Sequence, residues 1–198
     1  MGLINFGLWI SALKDPRTTF AKEKTNASLT EALKNIVVAG FILGVLSAIL
    51  ILVSTTAAAG GFGAVFGGIA ALFIIFVLPV LMLVLLLILS GIYWIIAKVL
   101  GGKGKYETQT YIISLFLAPL MIISILSNVM ILLSLDFVGQ IISTLIFLYF
   151  VYLLILTFKE VHEYGLGKAI ATWAIPMLVA VLLSFGTILA VLGLVATV

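Results

Sequence analysis

The 198-residue chain has no cysteine, one histidine and seven acidic residues. Without cysteine there is no disulfide, no thiol nucleophile and no cysteine-ligated metal, and nothing is implied about redox compartment. A single histidine cannot supply the paired histidines of a His-Glu-x-x-His zinc site. Charged residues amount to 9% against 65% hydrophobic, whereas a soluble domain typically carries about a quarter charged residues. The chain has too little charge to cover a water-soluble surface.

What it has instead is five long apolar runs, at Asn35–Ser54, Ile69–Ala97, Gln109–Leu133, Gly139–Phe158 and Ala169–Leu194. Each is about 20 residues or longer, enough helix for the ~30 Å hydrocarbon layer. The pattern predicts an all-α polytopic membrane protein. A cytoplasmic and interfacial arm over 1–27 precedes a five-span bundle over 28–198.

All ten Lys and Arg residues fall on one predicted side. The arm carries Lys14, Arg17, Lys22, Lys24 and Lys34, the second loop Lys98, Lys103 and Lys105, and the fourth Lys159 and Lys168. The first loop, third loop and C-terminal tail carry none. Basic residues mark the cytoplasmic side, so the N-terminus is expected in the cytoplasm and the C-terminus outside. The net charge of +3 is then a topology and lipid-contact signal, not a nucleic-acid footprint.

Met1–Leu13 is apolar but lacks a basic start and runs into Lys14-Asp15-Pro16, so no cleavable signal peptide is expected. Met1-Gly2 is not a myristoylation start, because Phe6 stands where Ser or Thr is needed. Leu3, Phe6, Ile10 and Leu13 share a helical face beside Trp9, predicting a short interfacial helix with Phe6, Trp9, Ile10 and Leu13 at the membrane interface. Asp15-Pro16 ends it, since the residue before proline avoids the α region. Ser28-Leu29-Thr30-Glu31 forms a capping box that starts the next helix and accounts for the Asn26-Ala27-Ser28 sequon match. Thr55–Gly68, with five glycines and no charge, is expected to be an outer turn. Gly165 is expected to stop the fourth span, with the next helix starting near Lys168.

No Asp, Glu, Lys, Arg or His lies centrally in any run. Ion-coupled transporters usually keep such groups in the membrane, so their scarcity weighs against one. Pro79, Pro119 and Pro176 lie inside spans and predict helix kinks, which frame either a cavity or only the packing. Asn128 is expected to make an interhelical hydrogen bond. Polar residues gather on the cytoplasmic side at Glu31, Glu107, Glu160, His162 and Glu163. Imidazole and carboxylates suit zinc, iron or manganese, but Glu-x-His-Glu matches no zinc signature, and a solvated headgroup-level turn carrying ion pairs is the favoured reading. Nothing resembles a nucleophile elbow or a phosphate loop. No cofactor and no enzymatic activity are expected.

Three stretches carry a resemblance. They are Trp9 through Leu13-Lys14-Asp15-Pro16-Arg17-Thr18-Thr19-Phe20, then Gly101-Gly102-Lys103-Gly104-Lys105-Tyr106 followed by Tyr111 and Pro119, then Leu156–Gly167 with Lys168-Ala169. With five spans, this order resembles the Yip-one domain family of Ypt/Rab-GTPase-interacting membrane proteins. The resemblance implies a role in membrane organisation or protein association, with lipids and protein partners at the cytoplasmic face or within the bilayer. Eukaryotic relatives carry a longer N-terminal region. The short arm and absent cysteine fit a prokaryotic member, which places the chain in the plasma membrane. Two alternatives stay open: a transporter or lipid-handling protein with a proline-framed cavity, and a metal-dependent membrane enzyme built on the Glu/His cluster.

Overall fold

The structure, a computed structural model, describes residues 5–195, with side chains through Ser184. Leu3 and the Met1-Gly2 start lie outside the described residues. Every regular element among the described residues is a helix: α1 Phe6–Lys14, α2 Pro16–Glu23, α3 Leu29–Val99, α4 Tyr106–Ile123, α5 Ile125–Leu132, α6 Asp136–His162 and α7 Leu166–Val195.

Local chemistry sets the boundaries. Asn5 caps α1 through its side chain, which accepts from the Leu8 amide at 3.1 Å. Asp15 ends α1 and also caps α2, accepting from the Thr18 amide at 3.4 Å with Pro16 at the first helical position. Proline suits that position because its missing N–H would be unpaired there anyway. Ser28 caps α3 by accepting from the Glu31 amide at 3.4 Å. The other half of the expected capping box is replaced. Glu31 bonds Lys34 at 2.7 Å, and Glu107 from α4 accepts from the Leu29 amide at 3.0 Å.

Among the described residues, four helical stretches rather than five are long and apolar enough to cross a membrane: Leu29–Val99, Tyr106–Leu132, Asp136–His162 and Leu166–Ser184. The difference lies in α3. Its 71 residues absorb the first two runs, and Thr55–Gly68 is helical where a loop was expected. The helical dihedrals fail only at Ala59 (φ −137°, ψ 18°) and Gly60 (φ 56°, ψ −137°). Gly60 adopts its positive φ without the steric penalty of a Cβ.

The chain doubles back there. At 1.5 Å per residue, a straight helix would put Gly40 and Pro79 almost 60 Å apart. Instead a Cβ built on Gly40 would sit 2.7 Å from Pro79 Cα, and one on Gly44 would sit 3.1 Å from Ile75 Cα. The Phe41 and Phe76 rings meet edge to face at 6.4 Å. Two antiparallel arms thus pack backbone to backbone, at glycines that leave no side chain in the way.

α4 is the centre of the bundle, buried almost continuously from Gln109 to Met121. Phe116 meets Phe20 of α2 on one side and Phe150 of α6 on the other, with centroids 5.8 and 6.1 Å apart. Large apolar side chains such as Phe73, Leu145 and Leu182 are exposed on the outer helix faces, as befits helices surrounded by acyl chains rather than water.

The N-terminal arm departs from a surface-lying helix. Phe6 and Ile10 are exposed at 54% and 53%, but Trp9 is only 3% exposed and Ala12 is fully buried against the bundle. Leu13 is half-buried against the same core. The arm also contains a second helix, α2, which seats Phe20 in the interior. At the other end of the chain, α6 stops at Glu163 in the left-handed conformation (φ 55°, ψ 43°), not at Gly165, and α7 starts at Leu166.

Candidate functional site at the capped end of the bundle

One group of buried polar side chains collects where α1 and α2 cover the start of α3 and α4. The Trp9 indole donates to Asn35 Oδ1 at 3.0 Å, and Asn35 Nδ2 donates to Ser114 Oγ at 3.1 Å. Ser114 in turn donates to the Tyr111 carbonyl at 2.7 Å. Tyr111 donates its hydroxyl to Glu23 Oε2 at 3.0 Å, where the carboxylate is buried. Tyr149 of α6 donates to the Leu13 carbonyl, closing the cap from the other side. Apart from the Ser114–Tyr111 bond within α4, each of these bonds joins elements distant in sequence, so the cap is fastened rather than merely adjacent.

A second network ties α3, α4 and α6 together. Gln109 donates from Nε2 to the Ser90 carbonyl at 2.7 Å and accepts at Oε1 from His162 Nε2 at 2.8 Å. Gln109 thus assigns the proton of this neutral imidazole to Nε2. His162 Nδ1 is buried and has no hydrogen-bond partner among the described residues. The Ser90 and Thr110 hydroxyls bond at 2.7 Å beside it.

The Gly101–Lys105 loop lies directly on this histidine. A Cβ on Gly102 would fall 2.5 Å from His162 Nδ1, and one on Gly104 would fall 2.5 Å from Val161 Cγ1. The Lys103 amide donates to the His162 carbonyl at 3.2 Å, and Lys98 Nζ donates to the Lys103 carbonyl at 3.3 Å. Two residues on, Tyr164 stacks on the His162 ring at 5.5 Å and shares a 2.5 Å hydrogen bond with Thr172. Burial pushes the Tyr164 phenol up, and the bond to Thr172 pulls it partly back. It therefore stays a hydroxyl at any physiological pH.

Outside this loop a polar cleft of 300 Å³ opens between Lys24, Thr25, Lys103, Lys105, Thr108 and Glu163. Glu163 lies 3.5 Å from Lys24 and 4.0 Å from Lys103. Two further grooves are apolar. One of 310 Å³ runs between α4, α5 and α6 past Met121, Ser127 and Phe150, and one of 210 Å³ lies between α3, α4 and α6 near Leu86 and Leu154.

The candidate metal ligands do not converge. No group of three or more His, Asp or Glu residues among the described residues could hold an ion. Glu31 pairs with Lys34, Glu107 bonds the Leu29 amide, His162 is turned inward to Gln109, and Glu163 points at two lysines. Glu160 stays half-buried beside them on α6. The prolines do not frame the two apolar grooves either. Pro79 packs on Gly40, and neither Pro119 nor Pro176 lines those grooves. Asn128 is exposed on α5, and the interhelical role expected of it falls to Asn35 and Gln109. A sequence signal for Gln109 and Asn35 existed in their position at the ends of apolar runs, but their partners were not readable there.

An all-helical bundle with long, outward-facing apolar helices and a fastened polar cap at one end defines a polytopic integral membrane protein. More particularly, the chain belongs to the Yip1 domain family, whose model matches residues 10–188. That family comprises membrane proteins linked to trafficking. No curated protein and no solved structure matches the chain.

Proposed function

We propose that this is a non-catalytic membrane protein of membrane organisation and trafficking whose α1–α2 cap is a platform for a protein partner. It would span the membrane five times, with the N-terminus in the cytoplasm and the C-terminus outside. The observation that carries this reading is the cap. Trp9–Asn35 and Glu23–Tyr111 fix α1 and α2 to the bundle, which leaves Arg17 and Lys22 on the exposed side of a rigid surface. A surface ordered before binding loses less conformational freedom when a partner docks. The polar groups nearby are engaged in holding helices together, which supports a structural rather than a chemical role.

Five passes are supported by the doubling back of α3, since each of its arms is long enough to cross. The orientation is supported by the one-sided placement of all ten basic residues. In a prokaryotic cell the host would be the plasma membrane.

The missing cysteines make the test clean. Single variants Thr25→Cys, Ala58→Cys and Ser134→Cys are exposed to a membrane-impermeant maleimide on intact cells. The expected result is labelling at 58 and 134, and at 25 only after permeabilisation. A photo-crosslinker is then placed at Arg17 or Lys22, with Ser134 as the comparison. A discrete protein adduct from the cap positions alone supports the platform. Adducts of equal yield from both ends, or none from the cap, would remove it.

A further inference from the structure

The polar cleft beside the cap is not used by the platform reading, and its charge is unbalanced. Lys24, Lys103 and Lys105 line it against one carboxylate, Glu163, which leaves an excess of two positive charges. Like charges held together cost free energy unless something negative accompanies them. The surrounding backbone holds this arrangement in place. Lys103 is tied at its amide to the His162 carbonyl and at its carbonyl to Lys98. Gly102 and Gly104 press the loop so closely onto α6 that no Cβ fits.

Glu163 adds a second, independent sign. It is one of two non-glycine residues with positive φ among the described residues, a conformation that crowds the Cβ of an L-residue against the following carbonyl. That strained placement sets its carboxylate between Lys24 and Lys103. A residue whose backbone is kept in a disfavoured conformation at a polar cleft is a common mark of a functional or switching site.

We propose that this cleft binds a phosphate monoester, with Glu163 occupying the ammonium groups until the phosphate displaces it. A phosphate monoester carries about −1.5 to −2 charges near neutral pH, which matches the excess in the cleft. Lys24, Lys103 and Lys105 supply the ammonium donors, and Thr25 and Thr108 supply hydroxyls on the same wall. The volume of 300 Å³ admits the phosphate with a small polar body attached. The source is either a lipid headgroup at the membrane surface or a soluble phosphate ester. This inference is independent of the docking platform, because it requires no partner protein.

The test is titration calorimetry on the full chain in mild detergent. The probes are dihexanoyl phosphatidic acid, sn-glycerol 3-phosphate and, as a neutral-headgroup comparison, dihexanoyl phosphatidylcholine. The variants are Lys103→Gln with Lys105→Gln, Lys14→Gln as a charge-removing change away from the cleft, on the exposed end of α1, and Glu163→Gln. Saturable binding of phosphatidic acid is expected, weakened about tenfold or more by the double variant, since each charge-assisted bond contributes upwards of about 1.5 kcal/mol. Lys14→Gln is expected to bind as the unaltered chain does, and Glu163→Gln is expected to bind more tightly because the internal competitor is gone. Glycerol 3-phosphate binding as well identifies a soluble source, and phosphatidic acid alone identifies a lipid. Absence of saturable binding overturns the proposal, as does equal loss in Lys14→Gln or equal competition by a hexaglutamate peptide. All the substituted side chains are exposed or half-exposed, and matched melting curves verify that each variant is folded.

Discussion

The Tyr111 hydroxyl and the Glu23 carboxylate meet at 3.0 Å across 88 residues of chain, and both are buried. This bond anchors α2 to the middle of α4. Removing the hydroxyl with Tyr111→Phe leaves a buried carboxylate oxygen without its donor, which costs about 1–3 kcal/mol or more for a charged group. The expected outcome is a clearly lower melting temperature in detergent. Glu23→Gln keeps a hydrogen-bonding side chain in place without the charge, so it is expected to lower the melting temperature less.

Trp9, Asn35 and Ser114 form a chain in which the amide both accepts and donates. Asn35→Ala orphans the Trp9 indole and removes one bond from Ser114. Trp9→Phe orphans only Asn35 Oδ1. The double variant is expected to be more stable than the sum of the two losses implies, with a coupling of about 0.5–3 kcal/mol, because neighbours in one network do not add. Strict additivity, measured by chemical or thermal unfolding, would show that the Trp9–Asn35 hydrogen bond does not fasten α1.

Gly40 sets the spacing of the α3 arms. Replacing a helical glycine with alanine ordinarily gains up to about 1 kcal/mol of helix propensity. Here the new Cβ would meet Pro79 Cα at 2.7 Å, a backbone atom that cannot rotate away. Overpacking of this kind costs about 1–3 kcal/mol, so destabilisation wins. Gly61→Ala, where nothing lies within 4 Å, is expected to be neutral or stabilising. The comparison of the two melting temperatures checks the back-to-back packing.

Gly102 is the equivalent point in the loop over His162. A methyl group there would fall 2.5 Å from the ring nitrogen and 2.8 Å from the Ala97 carbonyl. Gly102→Ala is expected to lower stability by about 1–3 kcal/mol. Gly165→Ala, in open space, is expected to leave the melting temperature unchanged or slightly raised.

The sequence was most legible where the determinants are local. The apolar runs, the Ser28 cap and the Asp15-Pro16 junction need only neighbouring residues, and helices begin or end at Ser28 and Asp15. Partnership across the chain was not legible. Trp9 carries the amphipathic signature of a membrane-interface residue, and only the approach of Asn35 turns its indole inward. His162 and Glu163 are adjacent in sequence, yet α6 ends at His162 and the chain turns left-handed at Glu163 (φ 55°). One therefore entered the core while the other met the lysines, and the supposed metal cluster dispersed. α2 was hidden because its eight residues include two threonines and a proline, and it is a helix chiefly because Phe20 has a core to enter. At Thr55–Gly68 the glycines suggested a loop, whereas two residues were enough to reverse the chain.

The reversal at Ala59–Gly60 also bears on how the chain enters a membrane. From Asn35 to Ala97 there is no Asp, Glu, Lys, Arg or His. Passing this tip through the hydrocarbon layer would strip no ion of its hydration. The transmembrane voltage, which does work only on transferred charge, would neither drive nor oppose that step. Two helices whose macrodipoles oppose one another would enter together as a single electrically silent wedge.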